Sequence, residues 1–122
     1  MQTTKVAADV AVAGQVTAAD VPALAAEGFR SLICNRPDGE TAGQPSYAEI
    51  AAAAKAAGLE IRNIPIIPGK AGLPEVEAFA KALEELPKPI VAYCRSGARS
   101  GQIHQAALNL AASRPSTSKR QG

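Results

Sequence analysis

One seven-residue stretch gathers the residues best suited to chemistry: Cys94-Arg95-Ser96-Gly97-Ala98-Arg99-Ser100. A cysteine is a strong nucleophile only as its thiolate, so the question is what would hold a negative charge there. Four features do. The apolar run Ile90 to Tyr93 reads as a strand that fixes the position of Cys94. Gly97 permits a tight turn whose backbone N–H groups point inward as an anion nest. A helix expected from about Ser100 adds its positive end. Arg99 supplies a planar fork suited to an oxyanion. Together they lower the pKa of Cys94 and keep it ionised near neutrality. Ser100 is placed to donate a hydrogen bond to that thiolate or to a sulfur leaving group. Arg95 and Ser96 fall on the outer wall, where Arg95 meets the substrate electrostatically. Arg95, Ser96, Gly97 and Ala98 are taken as the substrate-contacting part of the loop. A core cysteine needs none of these neighbours.

The elements that must hold this loop follow from the spacing of apolar residues and of Gly and Pro. Residues 1–8 read as a flexible lead-in, and a strand starts at Val10 and ends near Gly14. Thr17 and Asp20 make a capping-box-like start to a helix that Gly28 stops. Phe29 to Cys34 is a short buried strand. Ser46 caps an Ala-rich helix to about Ala57, and Leu59 to Ile64 is the next strand. Leu73-Pro74-Glu75 opens a helix with Pro in its first turn. The last helix runs to about Ala112. The alternation of strands and helices predicts an α/β fold: a central, mainly parallel sheet of four or five strands flanked by helices. The loops at 35–45, 65–72 and 94–99 then share the edge where such sheets bind ligands. Residues 9–112 form the one catalytic domain, and 113–122 read as a disordered tail.

Bulk properties narrow the class. The 122 residues suffice for one domain, and only 3% are aromatic, so Ala, Val, Ile and Leu must build the core. A net charge of +2 gives no argument for nucleic acid. No apolar run reaches a membrane span, and no signal peptide is read at the N-terminus, which makes a cytoplasmic setting the expectation. No His/Cys cluster has metal-binding spacing, and neither a Walker loop nor a dinucleotide glycine pattern occurs, so no cofactor is expected.

Phe29 to Glu40, Gln44-Pro45, Gly58-Leu59, Ile64-Pro65 and the Cys94 loop together resemble the bacterial beta-lactamase-hydrolase-like, phosphatase-like domains, also labelled a sulfur transferase family. The resemblance runs from about Val10 to Ala112. It implies a fold like the dual-specificity tyrosine phosphatases, with the Cys loop between the last core strand and a helix. Those phosphatases have five residues between Cys and Arg, whereas this chain has four between Cys94 and Arg99. The shorter spelling is similar to single-domain rhodaneses, and a smaller loop suits a persulfide sulfur or a small oxyanion. Phosphatases of that fold also protonate the leaving oxygen with an Asp after the preceding strand. Here that stretch, Ile66 to Lys70, has no acid.

These readings give a leading expectation of a sulfurtransferase with a persulfide on Cys94. The alternative is a phosphatase with a cysteinyl-phosphate, in which Asp38 or Glu40 substitutes as the acid. A third class is a binding module without catalysis, for which an activated thiolate has no use. The substrate is then a small sulfur-containing or phosphorylated molecule. Arg36 is assigned to substrate binding, with bracing against Asp38 or Glu40 as its other reading. Cys34 reads as a small buried hydrophobe or a resolving thiol, Lys70 as a surface or mouth residue, and His104 as structural or surface.

Overall fold

Val10–Ala13, Ser31–Cys34 and Ile90–Tyr93 are buried at every position, as strands covered on both faces must be. The computed structural model describes residues 1–114 and pairs these runs in one five-stranded sheet. The strands are β1 (Thr4–Ala7), β2 (Val10–Ala13), β3 (Ser31–Cys34), β4 (Glu60–Asn63) and β5 (Ile90–Tyr93), in the spatial order β1-β2-β5-β3-β4. All neighbours are parallel except β1, which pairs antiparallel with β2. The helices are α1 (Asp20–Ala26), α2 (Tyr47–Ala56), α3 (Leu73–Glu85) and α4 (Ala98–Ser113).

Side-chain alternation along the strands divides the core into two layers. Ile33, Ile90 and Ala92 face Phe79, Ala82, Ile103 and Ala107 of α3 and α4. Leu32, Val91 and Tyr93 face Val21, Leu24, Ile50 and Ala54 of α1 and α2. Small and branched side chains let the helices pack closely on the sheet, and Phe79 and Tyr93 are its largest fully buried side chains.

The local signals act as their chemistry requires. Thr17 and Asp20 bond reciprocally, N–H to Oδ2 at 2.9 Å and N–H to Oγ1 at 3.3 Å, and α1 starts from that turn. The Ser46 hydroxyl accepts the Glu49 N–H at 3.1 Å. Glu75 accepts the Gly72 N–H at 2.8 Å at the start of α3.

Several boundaries differ from the sequence expectation: α1 starts at Asp20 rather than after a cap at Thr17, β3 at Ser31 rather than Phe29, and β4 spans Glu60–Asn63 rather than Leu59 to Ile64. Residues 1–8 are not a loose lead-in, because residues 4–7 pair with β2 and cover its otherwise open edge. The last helix begins at Ala98 rather than Ser100, since Gly97 adopts φ 96° and turns the chain two residues sooner. Ser113, assigned to the tail, is the last residue of that helix, and the rest of the expected tail from 115 onward lies outside the described residues.

Candidate active site

β5 lies between β2 and β3, so its C-terminal end is held from both sides. The ladders continue one residue into the loop. The Cys94 N–H donates to the Ala13 carbonyl at 3.2 Å, and the Asn35 N–H donates to the Tyr93 carbonyl at 2.8 Å. The Gln15 N–H then donates to the Arg95 carbonyl at 3.3 Å. This close approach explains Gly14, where a Cβ would lie 3.0 Å from the Arg95 carbonyl oxygen. Sequence reasoning used Gly14 only as a strand end; its steric part in the site appears once the strands are paired.

Cys94 is 1% exposed, and its sulfur accepts the Gly97 N–H at 3.0 Å. Burial alone would raise its pKa. The N–H groups of Ser100, Ser96 and Gly97 more than offset that, and the net shift is downward. The early start of α4 puts Arg99 and Ser100 in its first turn, where unpaired N–H groups point back at the loop. Cys34 goes the other way: burial pushes its thiol pKa up. Its sulfur donates to the Arg36 carbonyl at 3.4 Å, and its partner across the β3–β5 ladder is Tyr93 rather than Cys94. Both cysteines are free thiols.

Arg99 is the point where the three loops at this edge meet. Its Nη1 donates to Glu40 Oε2 at 2.8 Å and to the Ile66 carbonyl at 2.9 Å, while Nη2 donates to Glu40 Oε1 at 3.1 Å. Glu40 also accepts the Arg36 Nε–H at 2.9 Å. Arg99 first, against the opposing effect of burial, and Arg36 after it hold the Glu40 carboxyl below the usual carboxylate range.

Arg36 takes up the bracing arrangement with Glu40, the other of its two expected readings. Arg36 is 5% exposed, and its other nitrogens bond Gln15 Oε1 at 3.0 Å and Thr41 Oγ1 at 3.3 Å. Asp38 is likewise engaged away from the loop, accepting the Tyr47 N–H at 2.8 Å at the start of α2. Ser100 is fully buried, and its hydroxyl donates to Asn35 Oδ1 at 2.9 Å rather than to the sulfur. Asn35 is thus a site residue that sequence reasoning passed over; its signal was a polar side chain directly after a fully buried strand.

Arg95, Ser96, Ala98 and Arg99 line one end of a cavity of about 580 Å³, with Gln102 beside them and Ile66, Val76, Ile103 and Ala106 along its apolar side. Neither Asp38 nor Glu40 lines it, and Lys70 is exposed outside it. His104 is 3% exposed and meets the Phe79 ring edge-on, with centroids 6.3 Å apart, so it is a core residue. No helix among the described residues is long and apolar enough to cross a membrane.

A mostly parallel sheet with a Cys loop after its central strand, leading into a helix, is the architecture of phosphatase-like domains. The chain belongs to the family described as beta-lactamase hydrolase-like protein, phosphatase-like domain, which matches residues 2–112. It is 36% identical over 100 residues to a beta-lactamase hydrolase-like protein of Agrobacterium fabrum, covering 82% of this chain and 23% of that protein. A protein of the same description from Xylella fastidiosa is 32% identical over 95 residues, covering 78% and 22%. The chain therefore spans under a quarter of the length of these curated relatives. Among solved structures, a candidate phosphatase of Neisseria meningitidis superposes with TM-score 0.81 at 29% identity, covering 92% of this chain and 79% of that one. The core catalytic domain of a PP-IP phosphatase of S. cerevisiae gives 0.60 at 16% identity, covering 83% and 60%, a likeness of fold alone.

Proposed function

We propose that this domain transfers sulfur through a persulfide on Cys94. The observation that carries the reading is the cavity beside the loop, whose lining holds two arginines and no carboxylate. The two nearby acids that could have served are engaged elsewhere, Asp38 with the Tyr47 N–H and Glu40 with Arg99. Chemistry here therefore suits a leaving group that departs without a proton. In the first step the Cys94 thiolate attacks the outer sulfur of a donor such as thiosulfate. A new S–S bond forms at Cys94, the donor's S–S bond breaks, and sulfite leaves as an anion. In the second step an acceptor thiolate takes the outer sulfur, and Cys94 returns as a thiolate. The loop N–H groups hold the single charge of the persulfide, and Arg99 faces the sulfonate. The four-residue spacing between Cys94 and Arg99 supports the same reading, because the smaller loop suits a sulfur atom.

The second reading is phosphoryl transfer through a cysteinyl-phosphate, and the comparisons favour it. The family description and the solved relatives are phrased as phosphatases, and none of them names sulfur transfer. Without an acid at the cavity, such an enzyme would act on phosphates with good leaving groups, such as aryl phosphates or phosphoric anhydrides.

Mass spectrometry of the intact protein with thiosulfate, beside Cys94→Ser, separates the two. One added sulfur, removed by thiol and absent from the variant, supports sulfur transfer. No adduct on a protein whose Cys94 still alkylates, together with hydrolysis of an aryl phosphate, establishes the second reading instead.

A further inference from the structure

The Ser100 hydroxyl has one proton and two neighbours able to receive it, Asn35 Oδ1 and the Cys94 sulfur. The structure gives the proton to Asn35, at 2.9 Å. The amide cannot be turned to offer its nitrogen instead, because Asn35 Nδ2 donates to the Ile64 carbonyl at 2.9 Å. Asn35 and Ser100 are both fully buried, so no water competes for these bonds. The backbone fixes Asn35 further: its N–H meets the Tyr93 carbonyl at 2.8 Å, and its carbonyl accepts the Ile66 N–H at 2.9 Å.

We infer that Asn35 is a positioning residue that withholds the Ser100 hydroxyl proton from Cys94, keeping the thiolate less solvated and more nucleophilic than the loop would otherwise make it. The physical basis is a trade-off. Each hydrogen bond to a thiolate lowers its pKa and also lowers its intrinsic reactivity. The backbone N–H groups of Gly97, Ser96 and Ser100 already secure ionisation. A further donor would add little thiolate at neutral pH and slow its attack. The inference rests on Cys94 being the nucleophile, which both functional readings share.

The ionisable groups around the loop are Arg95, Arg99 with Glu40, Arg36 behind Glu40, Tyr93 directly before Cys94 on β5, Cys34 across from it on β3, and His104 one turn along α4. Glu40 is held below the usual carboxylate range, so it does not titrate alongside the thiol.

The test is the pH profile of iodoacetamide alkylation at Cys94, read by peptide mass mapping. In Asn35→Leu the freed hydroxyl turns to the sulfur. The midpoint should fall by about one pH unit, and the plateau rate of the fully ionised thiolate should fall about threefold. Both effects should vanish in a Ser100→Ala background. If Asn35→Leu does not fold, Asn35→Asp serves: it keeps the shape, binds the hydroxyl proton harder and raises the midpoint, by less when Ser100 is alanine. Shifts of equal size with and without the Ser100 hydroxyl overturn the inference. A wild-type Cys94 that alkylates no faster than a free cysteine overturns the nucleophile reading itself.

Discussion

Glu40 grips Arg99 with both carboxylate oxygens, receiving Nη1 at 2.8 Å and Nη2 at 3.1 Å from a residue fifty-nine positions away. This two-bond clamp orients the guanidinium, and it leaves Nε and the remaining Nη2 hydrogen outside these contacts. An arginine fixed in this way binds an anion without first losing the rotamer freedom of a long side chain.

Removing the clamp's charge should therefore cost activity more than stability. Glu40→Gln keeps the shape but weakens both bonds. Because the Glu40 side chain is 21% exposed, solvent screening limits the stability loss to about 1–2 kcal/mol. Under either proposed reading, the rate with an anionic substrate should fall about tenfold as Arg99 loosens. Thermal unfolding and steady-state rates measured on one preparation check this; an unchanged rate would mean that Arg99 does not need orienting. The carboxyl is held below its ordinary range, so the clamp should persist at pH 5 and open only in stronger acid.

Gly14 should tolerate no side chain without disturbing the Cys94 loop. A Cβ there would press on the Arg95 carbonyl oxygen at 3.0 Å. That is a backbone atom and cannot swing away. Gly14→Ala should destabilise by about 1–2 kcal/mol and slow Cys94 alkylation, with the far edge of the sheet unaffected. Hydrogen exchange across residues 94–99 and 60–63 would show whether the disturbance stays local.

His104 should make the protein less stable as pH falls. Burial lowers its pKa below 6.5, against the opposing charge of Asp9. Between the folded value and 6.5 the unfolded chain binds more protons than the native one, so stability falls as pH drops through that window. The slope approaches about 1.4 kcal/mol per pH unit for one proton. Denaturant midpoints from pH 7.5 to 5 should show it, and His104→Phe should flatten it. A slope retained in that variant would assign the effect to another group.

The parallel sheet and the Cys94 loop were legible in the sequence because each rests on local signals. Uninterrupted apolar runs mark strands buried on both faces, and Gly97 followed by Arg99 marks the anion nest. What could not be read were pairings across long separations. Nothing near Glu40 indicates that it meets Arg99, and Asn35 looks like an ordinary loop residue until β3 and β5 lie side by side. The order β2-β5-β3 brings those residues together, and that order depends on which strands pair rather than on any one of them. The misassigned start of α4 has a local cause: Ser100 resembles an N-cap, but the left-handed glycine at 97 turns the chain first. Residues 1–8 were misread because an edge strand buries little and carries a weak apolar signal.

The suspension of Arg99 between the 35–45 and 65–72 loops divides the site into a fixed half and an adjustable half. Cys94 sits on the stiffest part of the molecule, anchored by ladders on both sides, so its reach barely varies. The arginine instead hangs from two surface segments, each bonded to it by only one or two contacts. Sequence drift in either segment would shift the guanidinium while Cys94 stays where it is. The placing of the cation and the placing of the thiol are thereby separable, and a single scaffold can alter one without rebuilding the other.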